Sequence, residues 1–203
     1  MKVGIAIRRL PKIVHNAVRD LRYGRPLGGT VKSRYEHLGA HDVGNADYGD
    51  LAILFAAADV RPEDVIVDVG AGKGRAINWL LGHHPGNRIV GIELDPEICA
   101  ATGKRLHKYP QVEILCGDAL KLLPPDGSLF YLFNPFGESV MARFRDELAA
   151  LRAGRGRTRI VYYNVKTLHL FEDDPRFAVR RLENPALTLP SAIVDLLPAA
   201  QAK

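Results

Sequence analysis

Val65-Ile66-Val67-Asp68-Val69-Gly70-Ala71-Gly72-Lys73-Gly74-Arg75 is the stretch that decides the fold. Its first five residues set four β-branched side chains around one acid, the composition of a strand covered on both faces of a parallel sheet. Gly70, Gly72 and Gly74 then fall at alternate positions, where positive φ carries no steric cost and no Cβ holds a ligand off the backbone. Arg75-Ala76-Ile77-Asn78-Trp79-Leu80-Leu81 resumes with apolar residues at helical spacing, so the stretch reads as strand, nucleotide-binding turn and helix. A dinucleotide fingerprint would need glycine at position 75, where Arg75 stands. A phosphate-cradling Walker loop would need Ser or Thr at position 74, where Gly74 stands.

Outward from this turn, strands alternate with helices. Arg88-Ile89-Val90-Gly91-Ile92-Glu93 is a second buried strand, ending in a carboxylate nineteen residues beyond Gly74, where a βαβ unit brings an acid to a ribose diol. Val112 to Cys116 is a third, followed by Gly117-Asp118-Ala119, and Leu129 to Phe133 is a fourth, ending in Asn134-Pro135-Phe136. Arg159 to Val165 makes a fifth, and residues 177–182 and 192–197 look like a closing antiparallel pair. Helices are expected over 50–58, over 98–109 behind an Asp95 cap and Pro96, and over 139–151.

Four motifs in this order, Asp68-Val-Gly-Ala-Gly-Lys-Gly74, Ile92-Glu93-Leu94-Asp95, Gly117-Asp118-Ala119 and Asn134-Pro135-Phe136, resemble the successive motifs of the class I S-adenosylmethionine-dependent methyltransferases. The resemblance covers about residues 48 to 165 and implies an α/β fold with a doubly wound, mostly parallel, seven-stranded Rossmann-like sheet. It also implies S-adenosylmethionine as cofactor. Gly70, Ala71, Gly72 and Gly74 would let the backbone approach its amino-acid and ribose portions, with Asp68 receiving the ammonium group directly or through water. Glu93 would accept from both ribose hydroxyls, Asp118 from the adenine amino group, and the Ala119 amide would donate to the ring, with Leu94 and Leu120 on its faces.

Asn134, Pro135 and Phe136 are the expected catalytic residues, with Asn134 also touching the cofactor. They resemble the Asp/Asn-Pro-Pro-Tyr/Phe motif of amino-group methyltransferases, although the second proline is absent. The implied reaction is an in-line displacement whose main requirement is alignment. Nitrogen of a protein side chain or small amine is the favoured acceptor. The alternatives are an oxygen or RNA acceptor, or a non-catalytic cofactor-binding partner subunit. Residues 35–48, which include Asp47 and Tyr48, resemble a lid, and Tyr162 and Asn164 close the substrate side. An oxygen acceptor would need a base, for which His41, Asp47, Tyr162 and Asn164 are candidates.

The chain has 203 residues, of which 47% are hydrophobic and 25% charged, an ordinary globular composition. No apolar run approaches the roughly 20 residues of a membrane span, the N-terminal apolar stretch is too short for a secretory signal, and a cytoplasmic location is expected. Cys99 and Cys116 are expected as buried thiols, and neither they nor the seven scattered histidines have metal-ligand spacing. Of the net charge of +5, residues 1–34 carry nine Lys or Arg against Asp20 alone, or +8, leaving −3 for the rest. Residues 1–47 therefore read as a basic helical arm plus lid, ahead of a cofactor-binding domain over 48–203. In the arm, Ile5, Leu10, Ile13, Val14, Ala17, Val18 and Leu21 predict an amphipathic helix interrupted or begun at Pro11, able to meet nucleic acid, an anionic surface or an acidic partner. Arg152 to Arg159 is a second basic stretch, expected to be solvated.

Overall fold

β1 (Ile66–Val69) lies between two parallel neighbours, β2 (Ile89–Glu93) and β4 (Leu129–Phe133), in the computed structural model, which describes residues 2–198. β3 (Val112–Cys116) extends the sheet beyond β2, and β5 (Thr158–Tyr163) extends it beyond β4. The antiparallel pair β6 (Phe177–Arg181) and β7 (Ser191–Leu196) closes the order β3-β2-β1-β4-β5-β7-β6. The expected seven-stranded, doubly wound sheet is therefore present. Its strand order reverses between β1 and β4, and ligands in such sheets bind beyond the strand ends at that point.

The β-branched run explains β1, all four residues of which are buried, because both sheet faces are covered. On one face α2 (Tyr48–Ala58), α3 (Arg75–His83) and α4 (Pro96–Leu106) pack Leu51, Leu54, Phe55, Ile77, Leu80 and Leu106 against the sheet. On the other, α5 (Ala119–Leu122), α6 (Glu138–Arg152) and α7 (His169–Glu172) pack Ala119, Met141, Phe144, Leu148 and Phe171. The short α5 and α7 were invisible to periodicity, which needs more than one turn to register.

Several sequence expectations shift. α4 starts at Pro96 and stops at Leu106, earlier at both ends, because the Asp95 carboxylate accepts from the Glu97 and Ile98 amides and fixes the first turn. α1 (Lys2–Leu21) runs unbroken through Pro11, which removes only the one donor that would have reached back four residues. His83 ends α3 and stacks on Trp79 with ring centroids 4.1 Å apart. Cys99 is buried as expected, but Cys116 is exposed, because it is the last residue of edge strand β3.

The Arg152 to Arg159 stretch is not a solvated patch throughout. Arg152 is buried and donates to the Thr158 hydroxyl and to the carbonyls of Pro125 and Arg155. Arg157 and Arg159 both donate to the Ala58 carbonyl, closing the C-terminal end of α2. Arg152, Arg155 and Arg157, with Arg61, Asp64 and Asp126, line a cleft of about 570 Å³ away from the cofactor motifs. Most of its charge is spent on internal partners, as in the Arg157–Asp64 ion pair.

Candidate cofactor and acceptor site

A cavity of about 840 Å³ opens at the reversal point, floored by the ends of β1, β2 and β4 and roofed by residues 32–44. Of the residues singled out from sequence, Gly70, Glu93, Leu94, Asp118, Ala119, Asn134, Pro135, Phe136 and Asn164 line it, together with Leu120. Asp68, Ala71, Gly72 and Gly74 are not among its lining residues. Asp47, Tyr48 and Tyr162 do not reach it.

The glycine turn is built as its sequence demands. Gly70, Gly72 and Gly74 all have positive φ, and Gly74 begins α3 in the left-handed region. At Gly72 a further constraint acts, because an added Cβ would sit 2.6 Å from the Cγ1 of Val43 in the roof. The turn's carbonyls are satisfied from α4, Thr102 Oγ1 donating to Gly72 at 2.9 Å and Arg105 to Lys73 at 2.7 Å. Neither α4 residue was singled out in the sequence. Their only signal there is a polar and a basic residue three apart on one helix.

Glu93 is buried and its two oxygens accept from the Gly72 amide at 2.7 Å and the Asp95 amide at 2.8 Å. Burial raises its carboxyl above the ordinary value, and these backbone donors oppose that rise. The same carboxylate that faces the cavity therefore also pins the glycine turn. Asp118 lines the cavity while its Oδ1 accepts from the Leu120 amide and caps α5, so a capping role and a cavity position coexist.

Asp68 is different. Burial first, and then the nearby Glu93 charge, push its carboxyl up to about 7, and no hydrogen bond offsets the rise. Opposite it in register stands Tyr131, whose buried hydroxyl has no hydrogen-bond partner among the described residues. A buried acid with no side-chain hydrogen bond among the described residues, two residues before the glycine turn, suits a cationic ligand group, such as the ammonium of S-adenosylmethionine.

The side of the cavity expected from the sequence to meet the acceptor is formed by the turn after β4. Asn134 has φ +41° and is buried; its Oδ1 accepts from the Tyr162 hydroxyl at 3.3 Å, and its Nδ2 lies 3.2 Å from His41 Nδ1. The roof is stitched to this turn by backbone hydrogen bonds, His41 N–H to the Pro135 carbonyl at 3.1 Å and Gly137 N–H to the Gly39 carbonyl at 2.9 Å. Phe136 lines the cavity but also tilts against Phe144, 5.8 Å away, which ties its ring to the core. Phe133, not singled out in the sequence, contributes a second aromatic wall and packs on Tyr163. Its signal was its place as the last residue of β4.

The expected lid residues divide. His41 and the segment 32–44 cover the cavity, but Tyr48 is buried in the first turn of α2, its hydroxyl donating to Asp20 at 3.0 Å. Asp47 accepts from Asn16 and pairs with Lys12 on α1. Tyr162 sits behind Asn134 and also shares a hydrogen bond with Thr167 at 3.0 Å. None of the three lines the substrate space: Tyr48 and Tyr162 point into the packed interior, and the part-exposed Asp47, ahead of α2, is turned to α1.

This fold and this cavity bear out the resemblance to the class I S-adenosylmethionine-dependent methyltransferases. Residues 66–156 match the family model described as a methyltransferase domain. The ribosomal RNA small subunit methyltransferase A of Thermotoga maritima is 28% identical over 162 residues, covering 70% of this chain and 57% of that protein. The protein of the same name from Dehalococcoides mccartyi is 31% identical over 99 residues, covering 49% of this chain and 32% of its own length. The chain thus spans less than two thirds of the curated relatives it matches. Among solved structures, an RNA methyltransferase from Salinibacter ruber in complex with S-adenosyl-L-homocysteine superposes with a TM-score of 0.57 at 23% identity, covering 73% of this chain and 90% of that one. S-adenosylmethionine is the cofactor of the family. No helix among the described residues is long and apolar enough to cross a membrane.

Proposed function

We propose that this chain transfers the methyl group of S-adenosylmethionine to a nitrogen of an RNA acceptor presented at Asn134. The observation that carries methyl transfer is the juxtaposition, in one cavity, of Glu93 and Asp118 at the cofactor end with Asn134-Pro135-Phe136 at the other. Asp68 would hold the ammonium group, Glu93 the ribose hydroxyls, and Asp118 with the Ala119 amide the adenine. Leu94 and Leu120 would cover the adenine faces, and the glycine turn would bring the backbone against the amino-acid and ribose portions.

The RNA reading displaces the sequence-based preference for a protein side chain or small amine. It is supported by the names of both relatives, which are RNA methyltransferases. A nitrogen acceptor is supported by Asn134, whose side-chain oxygen is fixed by the Tyr162 hydroxyl in a buried setting that excludes water. Alignment of such a nitrogen with the sulfonium carbon would supply most of the rate.

The test is incubation with methyl-labelled cofactor and cell extract, split into RNA, protein and small-molecule fractions before counting. Label in RNA, lost in Asn134→Ala with cofactor affinity retained, is the expected result. Label confined to protein or small molecules overturns the RNA acceptor, and unchanged labelling by Asn134→Ala removes Asn134 from the chemistry.

A further inference from the structure

α1 is mounted on the domain by its polar side. Asn16 and Asp20 are buried, Asn16 bonding to Asp47 and to the Tyr48 amide, and Asp20 receiving Arg75, the Tyr48 hydroxyl and the Leu27 amide. The only acid in the first 34 residues is thus the anchor, not a surface charge. A helix held this way must turn its apolar side outward. Ile13, Val14, Val18 and Leu21 are 60%, 54%, 55% and 56% exposed, although amphipathic surface helices ordinarily bury that side. At about 100° per residue, residues 13, 14, 17, 18 and 21 span an arc of about 140°.

We infer that this outward stripe docks on an anionic lipid bilayer, lying in the plane of the membrane surface. The stripe is aliphatic throughout, and beside its C-terminal end stand the exposed Arg22 and, just beyond the helix, the exposed Arg25. An apolar arc with basic flanks is the pattern of a helix lying at the headgroup boundary. Other occupants fit less well. An RNA backbone would meet the basic flanks but leave the aliphatic stripe in water. A second copy would bring two like-charged flanks together, against Coulomb repulsion. A protein groove ordinarily receives an aromatic anchor, and among positions 11–21 there is none. The arc is also broader than the narrow seam of a two-helix coiled coil.

Membrane docking is independent of the acceptor reading, since the stripe lies outside the cavity lining. The experiment is sedimentation of the full chain with vesicles of phosphatidylcholine alone, or of equal parts phosphatidylcholine and phosphatidylglycerol, at low and high salt. The expected result is sedimentation with the anionic vesicles at low salt and little with the neutral ones. Val14→Asp with Val18→Asp should lower that partition by at least about tenfold, since each change removes buried apolar area and adds a repelled charge. Both positions are exposed, so the thermal midpoint and S-adenosylhomocysteine binding should be unchanged, which separates failed docking from failed folding or a failed cofactor site. Arg22→Gln with Arg25→Gln should weaken partition less. No sedimentation with anionic vesicles overturns the proposal, as does sedimentation that the double aspartate variant leaves intact. A dimer by light scattering that the same variant dissolves, without vesicle binding, overturns it in favour of a second copy.

Discussion

The carboxylate of Asp20 and the guanidinium of Arg75 form an ion pair at 2.8 Å, with 0% and 7% of the two side chains exposed. Two parallel contacts, from Nε at 3.1 Å and Nη2 at 2.8 Å, make the pairing bidentate. The pair joins the arm helix to the first residue of α3, directly after the glycine turn. Arm and glycine turn are thereby held together.

Removing one partner leaves the other charge buried alone, which costs about 3–5 kcal/mol. Asp20→Ala should therefore destabilise the chain by that amount in urea unfolding. It also strips acceptors from the Tyr48 hydroxyl and the Leu27 amide. Asp20→Asn keeps an acceptor and should cost less. A loss under about 1 kcal/mol in Asp20→Ala would mean that the arm does not dock through this pair.

Asp68 gives the chain a pH dependence of definite sign. Its carboxyl is pushed up to about 7 by burial and the Glu93 charge. Between about pH 4 and pH 7 the folded state keeps a proton that the unfolded chain has released, so this group's contribution to stability falls as pH rises through that window. Asp68→Asn should remove the fall and, at pH 8, unfold later by roughly 4 kcal/mol, the equivalent of about three pKa units. If Asp68 holds the cofactor's ammonium, S-adenosylhomocysteine affinity should rise between pH 6 and pH 8 in the parent chain and stay flat in the variant. Calorimetry at the two pH values decides. Equal affinity in the parent chain would assign Asp68 to structure alone.

Gly72 tests the seam between turn and roof. Alanine there is strained at φ +54° by about 1–2 kcal/mol, and its Cβ would sit 2.6 Å from Val43 Cγ1. Because the Gly72 amide also donates to Glu93, displacement of the turn disturbs that carboxylate on the cavity wall. Gly72→Ala should weaken cofactor binding by at least about tenfold, or 1.4 kcal/mol. Val43→Ala in the same chain should recover part of the loss by removing the clash but not the backbone strain. If Val43→Ala recovers nothing, the defect lies wholly in the turn's own backbone.

The sheet was legible because its signals are local: β-branched runs at β1 and β2, glycines between strand and helix, and an acid and proline heading α4. The places of Glu93 and Asp118 on the cavity wall were legible because one is the last residue of β2 and the other comes two residues after β3. What was hidden depends on contacts distant in sequence. Tyr48 looked like a lid aromatic, but its partner Asp20 is 28 residues away. Arg152 looked like solvated charge, whereas the loop carbonyls it satisfies come together only when α6 and β5 are in place. The arm's period announced an amphipathic helix but not which side docks, since that choice rests on Arg75 meeting Asp20.

Tyr162→Phe isolates the part played by orientation at the acceptor turn. The Tyr162 hydroxyl donates to Asn134 Oδ1 at 3.3 Å and is shared with Thr167, so its removal frees the amide of Asn134 while keeping the ring that packs on Phe171. One such hydrogen bond is worth about 1 kcal/mol. If Asn134 must be held to receive a nitrogen, Tyr162→Phe should lower methylation turnover by roughly fivefold to tenfold. S-adenosylhomocysteine affinity should stay unchanged, because the hydroxyl does not line the cavity. A merely structural role would instead lower the unfolding midpoint and leave turnover per folded molecule intact. Measuring both in the same preparation separates the two, since only a positioning role shifts turnover while the cofactor titration stays fixed.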